Sequence, residues 1–434
     1  MTNPLDRLSP EQQNARLKPF FPPHLLSAAA LAGPQWLDGT VLVADLTGFS
    51  ARSAALFAAN GQDDHWLLAL VNRYFEVVLA ESERFGGSPF TFDGDAVSIL
   101  FTGPQHVAVA AQAALALQTA LAGTQVDLPT GPLPLQANMG LSSGPLLSGS
   151  FGSPTARVFA SLGQAATQAV QAQKLAAGGQ IILADSSRAA LAGQPSTGPI
   201  EPGFYVLAGV EPVAARPQPQ PEPAPDLAGS LAAHFPRPLA RQVINGDIQT
   251  GQRHMAALFV NVDGLGRLVV EQGAGSAAEL NHFFGGLRRI IDTRGGLLNK
   301  VNAYAVGDKY LVLFGLSALP CADPDRAALE TAFELQVWAD ESPFPLRQRI
   351  GLSAGPASEC IVGNQRRKEF TAIGRPVNEA VHLMELAGWG QVLAVGDFCR
   401  EVRSATATQI LLKGYAQPTP AYQFSVRKGE VHEF

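Results

Sequence analysis

The chain has 434 residues, 46% of them hydrophobic and 16% charged, which is enough for two or three domains, each with its own core. A net charge of −6 excludes a surface built to coat nucleic acid, and three scattered cysteines (Cys321, Cys360, Cys399) fit neither a disulfide framework nor a zinc site. The opening MTNPLDRLSPEQQNARLKPFF has charges where a signal peptide needs an apolar stretch, and no later run approaches about 18 apolar residues, so a cytoplasmic chain without membrane contact is expected.

In chain order, a short helix or lead-in around 10–31 comes first and carries no chemistry. The run VLVADLTGFS at 41–50 reads as a strand with one carboxylate, Asp45, near its end, which is costly to bury unless something pairs with it. Asp64 to Phe85 has apolar residues at 66, 67, 70, 71, 74, 75, 78 and 79, one face of a helix. Two strands joined by a tight Asp/Gly turn follow at 90–101, then an Ala/Leu-rich helix at 105–122. A strand entering GLSSG, a helix beginning near Gly163 and a strand at 179–184 complete this plan. RPQPQPEPAP, 216–225, alternates proline with polar residues and reads as an extended linker.

Beyond the linker the plan repeats: a strand at 256–262, a hairpin at 299–315, a helix at 324–339, a strand into GLSAG, a helix from near Gly374 and a strand at 391–395. LQANMGLSSGPLLSGSFGSPTARVFASLGQAATQAV aligns without a gap on LRQRIGLSAGPASECIVGNQRRKEFTAIGRPVNEAV, pairing Gly140 with Gly351, Gly144 with Gly355 and Gly163 with Gly374. VLVADLTGF and the FDGDAVSILF hairpin have counterparts in the same order. The chain is therefore an internal duplication: lead-in 1–37, first copy 38–210, linker 211–249 and second copy 250–427. Each copy is expected to be α+β, with helices over one face of a mainly antiparallel sheet.

In the first copy Asp45 leaves a strand end and Asp95 sits in the hairpin, with Gly48 and Gly94 beside them letting backbone approach closely. Two such carboxylates can share magnesium ions bridged to substrate phosphates, although aspartate beside glycine is also ordinary turn chemistry. Asp93 is expected on the opposite face of the same strand.

VLVADLTGFS, the FDGDAVSILF hairpin and TAIGRPVNEAVH together resemble the class III nucleotide cyclase catalytic domain. The tandem arrangement is similar to the two-domain core of the soluble, bicarbonate-responsive adenylyl cyclases and their bacterial relatives. That resemblance implies two ferredoxin-like domains paired head to tail about a pseudo-twofold axis, within one monomeric chain, with sites at their interface. It assigns two Mg2+ or Mn2+ ions to Asp45, Asp95 and the Leu46 carbonyl. It lays the triphosphate of ATP against Thr47-Gly48-Phe49-Ser50, at a helix start where free N–H groups favour anions.

The second copy has Asn261 at the first metal position and Asp308 at the second. It carries Lys300 and Thr371 at the positions that read adenine, where the first copy has Gly87 and Ala160. Asn378 falls at the ribose position, against Thr167, and Lys413 at a triphosphate position. One composite site is thus complete and the other has lost both halves. The implied reaction is ATP to cyclic AMP and pyrophosphate. The resemblance breaks at His382, where the family has an arginine that steadies the transition state, so turnover is expected to be slow, improving below about pH 6.5 as His382 charges. Thr91 and Val170 stand where bicarbonate-binding members have Lys and Arg, so no direct response to bicarbonate is expected. A nucleotide-binding module without turnover and a structural duplicate remain alternatives; a diguanylate-type enzyme lacks its GGDEF run.

Overall fold

A computed structural model describes residues 8–49, 52–53, 65–129, 131–191, 196–213, 227–400, 402, 404–413, 415 and 417–426. After a lead-in with helices α1 (Pro10–Leu17) and α2 (Ala28–Ala32), the first half runs β1 (Gln35–Leu46), α3 (His65–Arg84), β2 (Ser88–Asp93), β3 (Ala96–Thr102), α4 (His106–Ala122), β4 (Ala137–Ser153), β5 (Ala156–Leu162), α5 (Gln164–Leu175), β6 (Ile181–Ala184), β7 (Ser196–Glu201) and β8 (Phe204–Leu207). Helices α6 (Leu227–Ala232) and α7 (Arg237–Asn245) lead into the second half: β9 (Gly251–Asp263), α8 (Leu265–Gln272), α9 (Ser276–Thr293), β10 (Leu297–Ala303), β11 (Asp308–Phe314), α10 (Pro324–Asp340), β12 (Arg347–Gly363), β13 (Lys368–Ile373), α11 (Arg375–Leu386), β14 (Gln391–Val395), β15 (Thr406–Ile410) and β16 (Thr419–Ser425).

The two halves have the same topology. The first sheet runs β2-β3-β1-β4-β6-β8-β7 with β5 paired to β4, and the second runs β10-β11-β9-β12-β14-β16-β15 with β13 paired to β12. All described pairings in the two sheets are antiparallel except β4 with β6 and β12 with β14. Period-two alternation in β1 sends Leu42, Ala44 and Leu46 to one core, under α3 and α4, and Val41 and Val43 to another, under α5. The helices therefore cover both faces, not the single face expected, because VLVADL is apolar on both sides.

Two glycines set how tightly one of these helices sits. A Cβ on Gly140 would lie 2.2 Å from the Ala169 carbonyl oxygen, and one on Gly351 would lie 2.1 Å from that of Ala380. Only glycine lets α5 and α11 press this closely on the central strands, and α11 is the helix that carries the site.

The halves interlock through reciprocal arms. Leu147, Phe151, Val158, Ala160 and Leu162, from β4 and β5, are part of the core of the second half. Cys360 and Val362, from β12, are part of the core of the first. Packing is closed further by the lead-in and by α6 and α7: Leu17, Phe20, Phe21 and Leu25 share a cluster with Leu227, Leu231, Leu239, Val243 and the β9 residues Met255, Ala257 and Phe259. Residues 227–245, inside the span assigned as linker, are thus two packed helices, while the Pro-rich run 216–225 lies outside the described residues. The cysteines are free thiols, and no described helix is long and apolar enough to cross a membrane.

Candidate functional site

Arm exchange sets the end of the first hairpin against β11, β13 and α11 of the second half, and a cavity of about 490 Å³ opens between them. Phe49 and Asp95 from the first half line it together with Lys300, Thr371, Asn378, His382 and Lys413 from the second. Most of the side chains singled out in the sequence, drawn from both copies, therefore share one space.

Asp95, in the two-residue turn between β2 and β3, lines the cavity with Asp93, while Asp45, at the end of β1, lies close enough for its charge to act on Asp95 but does not line the cavity itself. Burial and then the charge of Asp93 push the Asp45 carboxyl up to about 6, against the opposing fields of Lys309 and Lys413 and a 3.1 Å hydrogen bond from Gln173 Nε2. Burial and then Asp45 push Asp95 well above the usual carboxylate range, although the backbone N–H groups of Asp95 and Leu46 donate to it. Two mutually repelling carboxylates gathered in a buried corner are unfavourable unless a cation joins them, and oxygen-only donors suit Mg2+ or Mn2+. The residues fit the ions.

The phosphate turn is only partly as expected. Phe49 lines the cavity, but the Thr47 N–H donates to the Gln136 carbonyl at 2.8 Å and its side chain faces a separate groove with Arg52 and Gln118. Thr47 is therefore not free to meet an anion. Gly48 takes a left-handed φ of 74° beside the Arg52 side chain, and Ser50 lies outside the described residues.

Asp93 overturns the opposite-face expectation. It lines the same cavity as Asp95 and accepts an ion pair from Lys309 Nζ at 2.8 Å. Residues 93 and 95 are two apart, a spacing that a period of two sends to one face, so the opposite-face expectation had the parity wrong. Burial alone would raise Asp93; the Lys309 ammonium outweighs it and holds the carboxyl below its ordinary value. Lys309 is itself buried and lies near the rings of Tyr304 and Phe259. Neither residue was distinguishable from a turn or surface charge in the sequence.

At the far end, Lys300 Nζ pairs with Glu369 at 2.5 Å and donates to the Phe92 carbonyl at 2.9 Å. Thr371 donates its hydroxyl to Asn299 Oδ1 at 2.9 Å. The register corrects one equivalence. Lys300 pairs with Leu311 just past a bulge, and Thr91 pairs with Ser98 just past a bulge at the same place, so Thr91 and not Gly87 is its counterpart. The longer second loop, 304–307 against 94–95, shifts any alignment read backwards from the aspartates.

Helix α11 presents Arg375, Asn378 and His382 to the cavity at spacings of three and four, one helical face. His382 Nδ1 is buried without a hydrogen-bond partner. Burial holds its pKa below 6.5, with Glu385 opposing and Lys413 adding to the shift. It gains charge only at a pH where Asp45, near 6, is losing its own, so the expected improvement in mild acid has no clear window.

The other composite site is filled by side chains. Asn261, at the Asp45 position, donates to the Val306 and Asp308 carbonyls at 2.8 and 2.9 Å and accepts from Arg349 Nε at 2.9 Å. Arg349 occupies the rung held by Asn138 in the first half, so a guanidinium stands beside the vestigial metal position. Lys174 lies over the Tyr304 ring at 4.2 Å, and Tyr304 donates to Glu385 at 2.6 Å.

With this geometry in place, residues 249–412 match the adenylate and guanylate cyclase catalytic domain family. By family, this half is a class III nucleotide cyclase domain. The first half repeats its sheet order strand for strand, so the chain carries two class III cyclase folds in tandem. A solved class III adenylyl cyclase-like ATP-binding protein from Pseudomonas aeruginosa shares the whole architecture: 15% identity, 89% of this chain and 90% of that one, TM-score 0.61. An uncharacterized protein of Mycobacterium tuberculosis (strain CDC 1551 / Oshkosh) is 34% identical over 180 residues, 38% of this chain and 31% of its own length. Another, from Mycobacterium bovis, is 37% identical over 138 residues, 31% of this chain and 23% of its own. The chain thus spans under a third of these relatives.

The ion pair between the halves generates a stability prediction. Lys309→Met leaves Asp93 without its cation and is expected to cost about 3 kcal/mol, the low end for a broken buried pair because Asp93 keeps some exposure. Urea denaturation measures it. The double variant with Asp93→Asn should recover most of the loss, and an unchanged midpoint in the single variant would show that the pair does not hold the halves.

Proposed function

We propose that the chain is an adenylate cyclase of slow turnover, converting ATP to 3′,5′-cyclic AMP and pyrophosphate at its one complete composite site. The observation that supports this most is the single cavity, lined by Asp95 of one half and by Lys300, Thr371, Asn378 and Lys413 of the other. On this reading the halves 38–210 and 250–427 work as one cytoplasmic monomer.

Lys300 keeps one N–H beyond those given to Glu369 and Phe92, and it would donate to adenine N1. Thr371 has committed its proton to Asn299, so its oxygen would accept from the 6-amino group. Guanine reverses both partners, with N–H at position 1 and a carbonyl at position 6, which supports adenine over guanine. Asn378 would orient the ribose, and Lys413 the triphosphate. Divalent cations held by Asp45, Asp95 and the Leu46 carbonyl would supply positive charge to the phosphate oxygens. The 3′-oxygen then bonds to the α-phosphorus, the bridge to the β-phosphate breaks, pyrophosphate leaves and the hydroxyl proton passes to solvent. Catalysis on this scheme is positioning and charge neutralisation, without a covalent intermediate.

His382 is the weak point of the scheme. An arginine there would offer a permanent charge and a planar fork of donors; a neutral imidazole offers one donor. Such a transition-state contact is worth roughly 3–4 kcal/mol. This favours a second reading, a nucleotide-binding module without turnover.

Three outcomes follow. Asp45→Ala or Asp95→Ala should abolish Mn2+-dependent cyclic AMP formation while circular dichroism stays unchanged; Mn2+ binding that persists undiminished in both variants would remove the metal assignment. Asp93→Ala, which frees Lys309, should also reduce the rate, by about tenfold if the freed ammonium shifts the phosphates. For base selection, ATP should outcompete GTP in equilibrium binding, and Lys300→Ala should erase the difference; equal competition in the wild type would undo the Lys300 and Thr371 roles. Finally, His382→Arg should raise kcat about 100- to 1,000-fold with little change in ATP affinity, because the restored contact belongs to the transition state. If neither protein makes cyclic AMP, the second reading takes over.

A further inference from the structure

Resting on the nucleotide site just proposed, one built group is left unused by it. Glu379, on the buried side of α11, accepts three hydrogen bonds: from Arg375 Nε at 2.7 Å, from the Tyr415 hydroxyl at 2.9 Å and from Ser353 Oγ at 2.6 Å. The Arg375 guanidinium lies 5.5 Å from the centre of the Tyr415 ring. Its two terminal nitrogens have no hydrogen-bond partner among the described residues, and both Arg375 and Tyr415 line the cavity. A guanidinium fixed at its Nε and backed by an aromatic ring is a flat cation held ready at a ligand space.

Its place along the helix decides what it meets. Arg375 begins α11, just past β13, which carries Thr371, while His382 lies seven residues on, about 10 Å along the axis. Lys413 lines one groove with His382, which marks that end as the phosphate end, and Tyr415 extends from that groove to Arg375. Arg375 belongs to the opposite, nucleoside end.

We propose that Arg375 is a nucleoside-contacting residue, laying its guanidinium plane against the purine face and adding affinity without distinguishing adenine from guanine. Every purine offers a π face, so a planar cation gains on any of them. Base choice is left to Lys300 and Thr371, which meet the edge of the ring. Glu379 and Tyr415 act as positioning residues for that plane.

The test is equilibrium binding of adenosine, ATP and GTP to the full chain and its variants. Arg375 is largely exposed, with its side chain 61% accessible, but it pairs with the buried Glu379, so circular dichroism and a urea midpoint accompany each variant to show that the fold is kept. Arg375→Ala should weaken all three ligands by the same factor, about tenfold, the size of a desolvated cation–π contact. Arg375→Lys should weaken adenosine nearly as much, because it keeps the charge and loses the plane. A loss confined to ATP and GTP would place Arg375 on the phosphates and overturn the proposal, as would full rescue by lysine or no loss in the alanine variant. If the wild type binds ATP and Arg375→Ala matches it, only this contact falls. Should the wild type bind none of the three, the nucleotide site and the contact fall together.

Discussion

The carboxylates of Asp45 and Asp95 are the constraint on which the rest of this molecule depends. In the corner they share, burial and the charge of Asp93 raise Asp45, burial and the charge of Asp45 raise Asp95, and the counter-charges that act on Asp45 come from the second half. Lys309 reaches across to Asp93, and the field of Lys413 bears on Asp45. Neither half alone makes this corner tolerable. The interlocked arms, with β4 and β5 in the second core and the end of β12 in the first, are what hold the opposite charges at contact distance.

The same constraint explains why the two composite sites differ. In the second half the aspartate is replaced by Asn261, and the neutral side chain spends its donors on two carbonyls and its oxygen on Arg349. The guanidinium supplies internally the positive charge that a cation would otherwise bring. Asp308 survives beside it, pushed up to about 7 chiefly by burial, which makes it a poor anion near neutral pH. A corner that carries its own cation and a largely protonated acid has little attraction for a metal–triphosphate. Thr91 and Ala160, at the base-reading rungs, offer no cation either.

Much of this was legible in the sequence where local geometry forces a residue type. Gly140 and Gly351 were visible as a repeat because a close helix admits no Cβ at either. The face of α3 was legible from its spacing, and Asp45 from the cost of burying it. What escaped depended on contacts between distant segments. Asp93 was set on the wrong face because residues two apart on a pleat share a side, and 93 and 95 are two apart. Lys300 was matched to Gly87 because the loop 304–307 is longer than its counterpart. Lys309 finds its partner, Asp93, only where the two halves approach, and Glu369, Arg375 and Tyr415 find theirs only through folding of the second half. Helix α7 was lost inside a linker because the proline-rich composition of 216–225 was extended over an amphipathic stretch that follows it.

A duplicated site that loses its ligand is usually free to decay, but here one strand serves both corners. Asp308 and Lys309 are consecutive on β11, and successive residues on a strand point to opposite faces. Asp308, paired with Val262, takes one face, while Lys309 shares the opposite face with its cross-strand partner Asn261 and from there reaches Asp93 of the other half. Its counterpart on the matching rung is Ala96, paired with Asp45 as Lys309 is paired with Asn261, so the cation is present only on the strand that lost its metal partner. A lysine at position 96 would lie beside Asp45 and compete with any ion there. At position 309 the same ammonium neutralises Asp93 from across the interface and leaves Asp45 and Asp95 to a bound cation. The strand whose own half carries Asn261 in place of an aspartate thus supplies charge to the acidic corner of the other half, and the asymmetry of the two halves follows from that exchange.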